Sequence, residues 1–226
     1  MNEISRRGLE GALSVTEKLL RAEAPSEREL GAGILRALAS SRVEEERAAG
    51  VLRLLRVIER ESHPDVLATA AAGLGHAAEE RALEPLVRLS EHQDEEVRWA
   101  VALALPRILQ NTLDDRGVKA LIGLTSDPDD DVRDWATFGL GIELQELDTP
   151  DVRRALQERC EDESFAVRCE ALEGLGDVPH HVPNVGLAEH PRTTSGTRGA
   201  LLEARKRATP LGSRLTPAGD PRPDGR

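Results

Sequence analysis

Two clusters of acidic residues are the first candidates for chemistry, because closely spaced carboxylates can bind a divalent cation. They lie at residues 94–96 and 127–131. Neither cluster has the loop length, the glycine or the distal Glu of an EF-hand calcium site. We therefore interpret both clusters as the starts of helices, where carboxylates cap backbone N–H groups and face solvent.

The histidines and cysteines are the other candidate ligands. His63, His76 and His92 fall at expected loops or helix ends, where a solvated imidazole is favoured over a metal ligand. Cys160 and Cys169 are the only cysteines, and we predict that both are reduced, buried, small apolar residues. The chain has no phosphate-binding glycine loop and no Gly-x-Ser-x-Gly elbow. The sequence predicts no catalytic site, no metal and no cofactor.

The composition disfavours some classes of binding partner and some cellular locations. The 226 residues carry 30 Lys+Arg against 41 Asp+Glu, a net charge of −11, which disfavours nucleic acid. There is no Tyr, and four aromatic residues cannot build a base-stacking surface. The longest apolar run, residues 99–105, is too short to cross a membrane. The first 25 residues lack the apolar core of a signal peptide, so we expect a cytoplasmic protein.

Four segments repeat along the chain, each with Val followed by small or apolar residues four and eight positions later. They are PDVLATAAAGLG from residue 64, EEVRWAVALALP from 95, DDVRDWATFGLG from 130 and FAVRCEALEGLG from 165. We call Val66, Val97, Val132 and Val167 the anchor valines. The spacing places the apolar residues on one face of a helix. Nine positions after an anchor stand Gly75, Pro106, Gly141 and Gly176, which predict that the helices end or kink there.

A second helix is expected in each of the first three repeats. Leu86, Leu121 and Leu156 each stand 11 residues before the next anchor valine, and the same rule places Leu55 in an earlier second helix. Arg28 then belongs to an earlier first helix. A constant distance between pairs is typical of stacked repeats, since stacking buries the faces that one pair cannot bury alone. Thr149 and Asp127 stand before prolines and are predicted to cap helices.

The segments DDVRDWATFGLG and EEVRWAVALALP resemble HEAT repeats of the short type named after phycobilisome lyases. The resemblance covers roughly residues 24–178 and implies an all-α solenoid of helix pairs. Such scaffolds host unrelated activities, so the resemblance implies a fold and not one function.

Repeats of this type stack through a polar ladder formed by the acidic residue and the Arg of the Asp-Val-Arg opening. The resemblance therefore implies a structural role for five residues. They are Glu96, Arg98, Asp131, Arg133 and Arg168. Leu67 and Ala166 depart from the pattern, so we expect the ladder to be incomplete in the first and last segments.

Known enzymes and binding proteins with helical repeats need particular residues, and this sequence can be compared with each of those requirements. Deoxyhypusine hydroxylases carry repeated His-Glu pairs that bind iron, and this chain has no His-Glu dipeptide. DNA glycosylases of this architecture need a basic face, which the net charge opposes. Bilin lyases act on a tetrapyrrole for a client protein, and only the repeat itself points to them. A lyase-like or chaperone-like accessory role is therefore the alternative to a non-catalytic scaffold.

The surface of the second helices is the candidate partner site, because solenoids bind along their concave face. Five charged residues flank the aligned leucines there: Glu84, Arg88, Lys119, Arg154 and Glu158. Their mixed signs favour a protein or peptide over a polyanion. Of the two tryptophans, we expect Trp135 to pack beside Phe138 in the core and Trp99 to be partly exposed.

The repeat pattern stops after Gly176. Residues 179–226 contain seven of the 13 prolines and carry 8 Lys+Arg against 4 Asp+Glu, which favours a mostly disordered tail. The tail is either a basic segment that folds back on the acidic solenoid or the product of a reading-frame change; we favour the second hypothesis. Without a following helix, residues 165–175 would expose apolar area, and weak self-association is expected there.

The sequence thus predicts a solenoid of about four helix pairs over residues 1–178 and a separate tail over 179–226. The predicted function is a cytoplasmic, non-catalytic scaffold or adaptor for a protein or peptide, with no nucleic acid and no membrane.

Overall fold

All regular secondary structure in the described part of the chain is helical. The computed structural model describes the backbone of residues 3–176 and the side chains of residues 7–176. It contains ten α-helices and no strand within that range. They are α1 (Glu3–Leu19), α2 (Pro25–Ala39), α3 (Glu44–Arg60), α4 (Pro64–Ala77), α5 (Leu83–Leu89), α6 (Glu95–Leu109), α7 (Asp115–Leu124), α8 (Asp130–Phe138), α9 (Pro150–Arg159) and α10 (Phe165–Gly174). A short 3₁₀ helix (Glu80–Ala82) precedes α5, and a π-helical segment (Gly139–Glu143) continues α8. The predicted tail, 179–226, lies outside the described residues.

The helices form the pairs that the spacing predicts. The first helices α2, α4, α6, α8 and α10 pack against one another in chain order, and the second helices α3, α5, α7 and α9 follow them. In chain order these helices make four pairs of a first and a second helix, with α1 packed against α2 before the first pair and α10 after the last. The all-α solenoid is confirmed. No helix of the described part is long and apolar enough to cross a bilayer.

The core follows the predicted periodicity. All four anchor valines are fully buried, and so are Leu86 and Leu121, while Leu156 is 3% exposed. Helix α6 is buried on nearly every side, because it packs between α4 and α8 and also contacts α5 and α7. Small residues such as Ala100 and Ala104 allow this close approach.

Side-chain caps start several of the helices. Asp94 accepts a hydrogen bond from the Glu96 N–H at the start of α6, as the acidic clusters predict. The Thr149 hydroxyl accepts one from the Val152 N–H at the start of α9, which confirms its predicted role. The prediction for Asp127 is wrong. Asp129 is the capping residue of α8, because the chain turns once more before the helix begins.

The predicted helix end at Gly75 is wrong, and of the two effects predicted for Pro106 the helix end does not occur, because both residues lie inside helices. Helix α4 continues to Ala77, and a Cβ on Gly75 would lie 2.6 Å from the Cβ of Ala104 in α6. Gly75 is therefore required for close packing between first helices. Gly141 lies in the π-helical segment against Gly174, and α6 continues through Pro106 to Leu109. Gly176 has φ +74° directly after α10, as a helix-ending glycine should.

Candidate functional site

Two arginines at the start of first helices bind carboxylates of the following repeat. In α6, Arg98 donates from Nε and Nη2 to the two oxygens of Asp127, at 2.6 and 2.9 Å. In α8, Arg133 donates in the same way to Asp162, at 2.9 and 3.0 Å. A planar guanidinium and a carboxylate match in this two-point geometry, which fixes the position of one repeat on the next.

The third guanidinium nitrogen anchors each arginine to its own repeat. Nη1 of Arg133 donates to the carbonyl oxygens of Asp127 and Pro128, at 2.8 and 3.1 Å. Nη1 of Arg98 donates to the carbonyls six and five residues earlier, at 2.8 and 3.0 Å. Asp162 likewise accepts from the Ser164 N–H, so both partners of this pair are held by the backbone. The ion pair therefore positions two loops as well as two helices.

Arg28 and Glu61 form the same contact at the N-terminal end of the solenoid. The Nε–Oε2 distance is 2.8 Å, and Nη1 of Arg28 donates to the carbonyls of Ala22 and Glu23. Burial acts to raise the pKa of Glu61, but hydrogen bonds from Arg28, His63 N–H and Ser62 N–H outweigh it and lower the pKa to about 2. The carboxylate is therefore ionised at neutral pH.

The repeat between Arg28 and Arg98 lacks both members of the pair. Leu67 stands where the arginine would be and is 3% exposed, and His92 stands where the acid would be. The Nδ1 of His92 still accepts a hydrogen bond from the Asp94 N–H at 3.1 Å, which is the backbone contact that Asp127 makes to Asp129. The histidine thus makes the same backbone hydrogen bond that the acid makes in the other repeats. Because Leu67 replaces the arginine, no arginine of this repeat lacks its partner.

The predicted ladder arginines Arg98 and Arg133 pair with acids other than those predicted for the ladder. Glu96 and Asp131 stand in the first turns of α6 and α8, whereas the carboxylates on Arg98 and Arg133 belong to Asp127 and Asp162. One signal could have found them. The carboxylates and the histidine all stand five residues before an anchor valine: Glu61, His92, Asp127 and Asp162.

Arg168 is the last arginine of this series. Its Nη1 donates to the carbonyls of Asp162 and Glu163, at 2.6 and 3.0 Å, as in the earlier repeats. Its Cζ lies 5.5 Å from the ring centroid of Phe165. Among the side chains that the structure describes, none supplies Arg168 with a carboxylate.

The five predicted partner-contact residues are all exposed and lie on three successive second helices. Glu84 and Arg88 are in α5, Lys119 is in α7, and Arg154 and Glu158 are in α9.

An ion pair links two of these second helices. Arg116 of α7, which is not one of the five predicted residues, donates to Glu84 of α5 at 2.6 Å. Glu84 also lies 3.5 Å from Arg88, and Arg154 pairs with Asp151 within α9. The surface therefore offers charges of both signs.

The tryptophans are both in the interior. Trp99 is 1% exposed, so the prediction of partial exposure is wrong, and Trp135 is 6% exposed, as predicted. The rings of Trp99 and Trp135 meet edge to face with centroids 6.1 Å apart, and Trp135 meets Phe138 in the same way at 5.8 Å. Trp99 is covered because α8 of the next repeat packs on it.

The histidines of the repeats lie at helix ends and in loops, which are the positions that the sequence predicts for them. His63 precedes α4, and His76 in its last turn has its Nδ1 2.7 Å from the Ala72 carbonyl. Burial and the charges of Arg107 and Arg36 lower the pKa of His76.

Cys160 and Cys169 are free thiols and are part-exposed, so the prediction of burial is wrong.

One acidic group has the spacing of a metal site. Ligand oxygens of Asp129, Asp130 and Asp131 lie within 4.8 Å of one another. Asp129 already accepts a hydrogen bond from the Val132 N–H, and at the start of α8 Asp130 is exposed while Asp129 and Asp131 are half-buried. The arrangement has the chemistry of a helix cap.

Comparison with known proteins matches the chain to one family. A family model described as HEAT repeats matches residues 51–141 and 118–185, which together make up more than half of the chain. Protein YibA of Escherichia coli strain K12 is 36% identical over 80 residues, which are 35% of this chain and 26% of YibA. The match therefore spans about a quarter of that relative's length.

Solved structures share the architecture. The X-ray structure of E. coli YibA has a TM-score of 0.62 at 24% identity and covers 75% of this chain and 60% of YibA. The complex of CpcE and CpcF of phycocyanin lyase from Nostoc sp. PCC7120 has a TM-score of 0.55 at 20% identity, covering 72% of this chain and 99% of the matched chain. A designed armadillo repeat protein bound to the peptide (KR)4 has a TM-score of 0.55 at 19% identity, covering 74% and 81%. At these identities the likeness establishes the fold alone.

Proposed function

The chain belongs to the HEAT-repeat family, and on that premise we propose that it is a cytoplasmic, non-catalytic scaffold that binds a polypeptide along the surface of its second helices. Repeat solenoids present extended surfaces of this kind, and one designed armadillo protein of similar fold binds a peptide. The observation that carries the proposal is the row of exposed charges of both signs on α5, α7 and α9.

The mixed charges of this surface and the ion pair within it support a polypeptide as the partner. Lys119 and Arg154 are exposed on adjacent second helices, while Glu84 and Glu158 supply the opposite sign. Such a surface can pair with both the acidic and the basic side chains of a peptide, whereas a polyanion would meet repulsion from the carboxylates. The Arg116–Glu84 pair between α7 and α5 holds part of the surface in place before binding.

A displayed library of random peptides tests the proposal on the full chain. We expect selected peptides to bind the native protein and to lose about tenfold or more in affinity with Lys119→Glu or Arg154→Glu, since a buried charge contact is replaced by repulsion. Lys18→Glu and Arg21→Glu are matched controls, because both residues are exposed on or just after α1 and change the charge equally. The proposed binding surface would be refuted if Lys119→Glu and Arg154→Glu left the affinity unchanged, or if the library gave no binders.

The second candidate is a lyase-like or chaperone-like accessory that handles a bilin for a client protein. The similarity of fold to the CpcE and CpcF complex favours it. Phycocyanobilin is the probe that separates the two functions. An accessory of this kind should shift the absorption spectrum of the pigment on titration, whereas the scaffold should leave the spectrum unchanged.

A further inference from the structure

One face of α10 is open where the same face of every preceding repeat is covered. The residue five positions after the anchor valine is fully buried in α4, α6 and α8, where it is Ala71, Ala102 and Thr137. Its counterpart in α10, Leu172, is 36% exposed. The next first helix buries this face elsewhere in the solenoid, and α10 is the last helix of the described part.

The open face is a stripe of five residues at helical spacing. They are Phe165, Arg168, Cys169, Leu172 and Glu173. Phe165 is 50% exposed, and Glu173 is exposed as well. The opposite side of α10 is occupied, since Val167 and Ala171 are fully buried. The stripe therefore combines apolar area with one basic and one acidic side chain.

The order of charges along the stripe makes it complementary to the same stripe on a second copy of the chain. In an antiparallel pair of α10 helices centred between residues 170 and 171, Arg168 of one copy faces Glu173 of the other, and the converse contact follows by symmetry. The same arrangement sets Cys169 against Leu172. Arg168 would then gain the carboxylate that Arg28, Arg98 and Arg133 each have in the next repeat.

We propose that the open face of α10, residues 165–173, is a homodimer interface in which two copies of this chain pack their last described helices antiparallel about a twofold axis. One helix against one helix buries less than about 1,200 Å², which is the range of weak and transient interfaces. We expect weak association, with a dissociation constant in the micromolar range or above, and the second-helix surface stays available for a partner.

Sedimentation of the full chain over a range of concentrations tests the dimer, and Glu173→Arg tests its geometry. This substitution sets two arginines against each other and should weaken the dimer about tenfold or more. Glu173 is exposed, so the interior of the monomer is unchanged. Glu45→Arg is the matched control, because Glu45 is exposed on α3 and changes the net charge equally. It should leave the dissociation constant within about twofold.

A short bismaleimide cross-linker gives an independent readout in a Cys160→Ser background. Cys169 of the two copies lies close to the twofold axis, so we expect a covalent dimer that Leu172→Asp abolishes. Three outcomes overturn the proposal. They are a monomer at every concentration, a dimer that ignores Glu173→Arg, and a Cys169 protected from maleimide in a monomer, which would mean that residues 177–226 of the same chain cover the face.

Discussion

Arg133 and Asp162 form a two-point ion pair between α8 and the loop before α10, and both side chains are almost fully buried, at 6% and 5% exposure. Glu163 lies 3.4 Å from the same guanidinium but is 89% exposed. Hydrogen bonding to Asp162 raises the pKa of Arg133, so the guanidinium stays charged. One buried and one solvated carboxylate thus contact the same guanidinium.

We expect Asp162→Asn to lower the free energy of unfolding by about 3 kcal/mol, because it leaves the buried charge of Arg133 without its buried counter-ion. Glu163→Gln is the matched control and should cost less than about 1 kcal/mol, since solvent screens that contact. Urea unfolding followed by circular dichroism measures both. Equal effects of the two substitutions would show that burial of the pair does not determine its contribution.

The Arg28–Glu61 pair should make the stability depend on pH. The pKa of Glu61 in the folded chain is about 2, below its ordinary value of 4.5, so the stabilisation is fully present above pH 4.5 and is lost as the pH falls towards 2. Glu61→Gln mimics the protonated form. We therefore expect its Tm to lie below that of the native chain at pH 7 and the difference to shrink between pH 4.5 and 2. A difference that stays constant over this range would contradict the assignment.

The missing ion pair at Leu67 and His92 can be installed. Leu67→Arg alone should destabilise the chain by about 2–3 kcal/mol, because it buries an unpaired charge in place of an apolar side chain. His92→Asp in the same chain provides the carboxylate at the position of Asp127 and Asp162. We expect the double variant to recover at least about 1 kcal/mol of the loss. Strictly additive effects would mean that the two positions do not face each other as their counterparts do.

Periodicity within one helix was sufficient to predict the helix pairs but not the contacts between repeats. The anchor valines and Leu121 are buried as predicted, since one apolar stripe determines which face of a helix turns inward. Trp99 lies off that stripe, and it is buried because the next repeat covers it through Trp135. Asp127 pairs with Arg98 across 29 residues for the same reason. Burial and pairing at such positions depend on how repeats stack, which no single repeat encodes.

Close approach of the first helices should make Gly75 intolerant of any side chain. A Cβ at this position would lie 2.5 Å from the Cα and 2.6 Å from the Cβ of Ala104, and neither backbone can yield without separating α4 from α6. We expect Gly75→Ala to cost about 2 kcal/mol or more through overpacking. Gly123→Ala is the matched control, because Gly123 lies in the exposed part of α7 with nothing within 4 Å of its Cβ position. It should stabilise the chain by about 0.5–1 kcal/mol, as alanine favours the helix. Thermal unfolding of the two variants should therefore move Tm in opposite directions, and a Gly75→Ala chain as stable as the native one would show that the two helices are less closely packed.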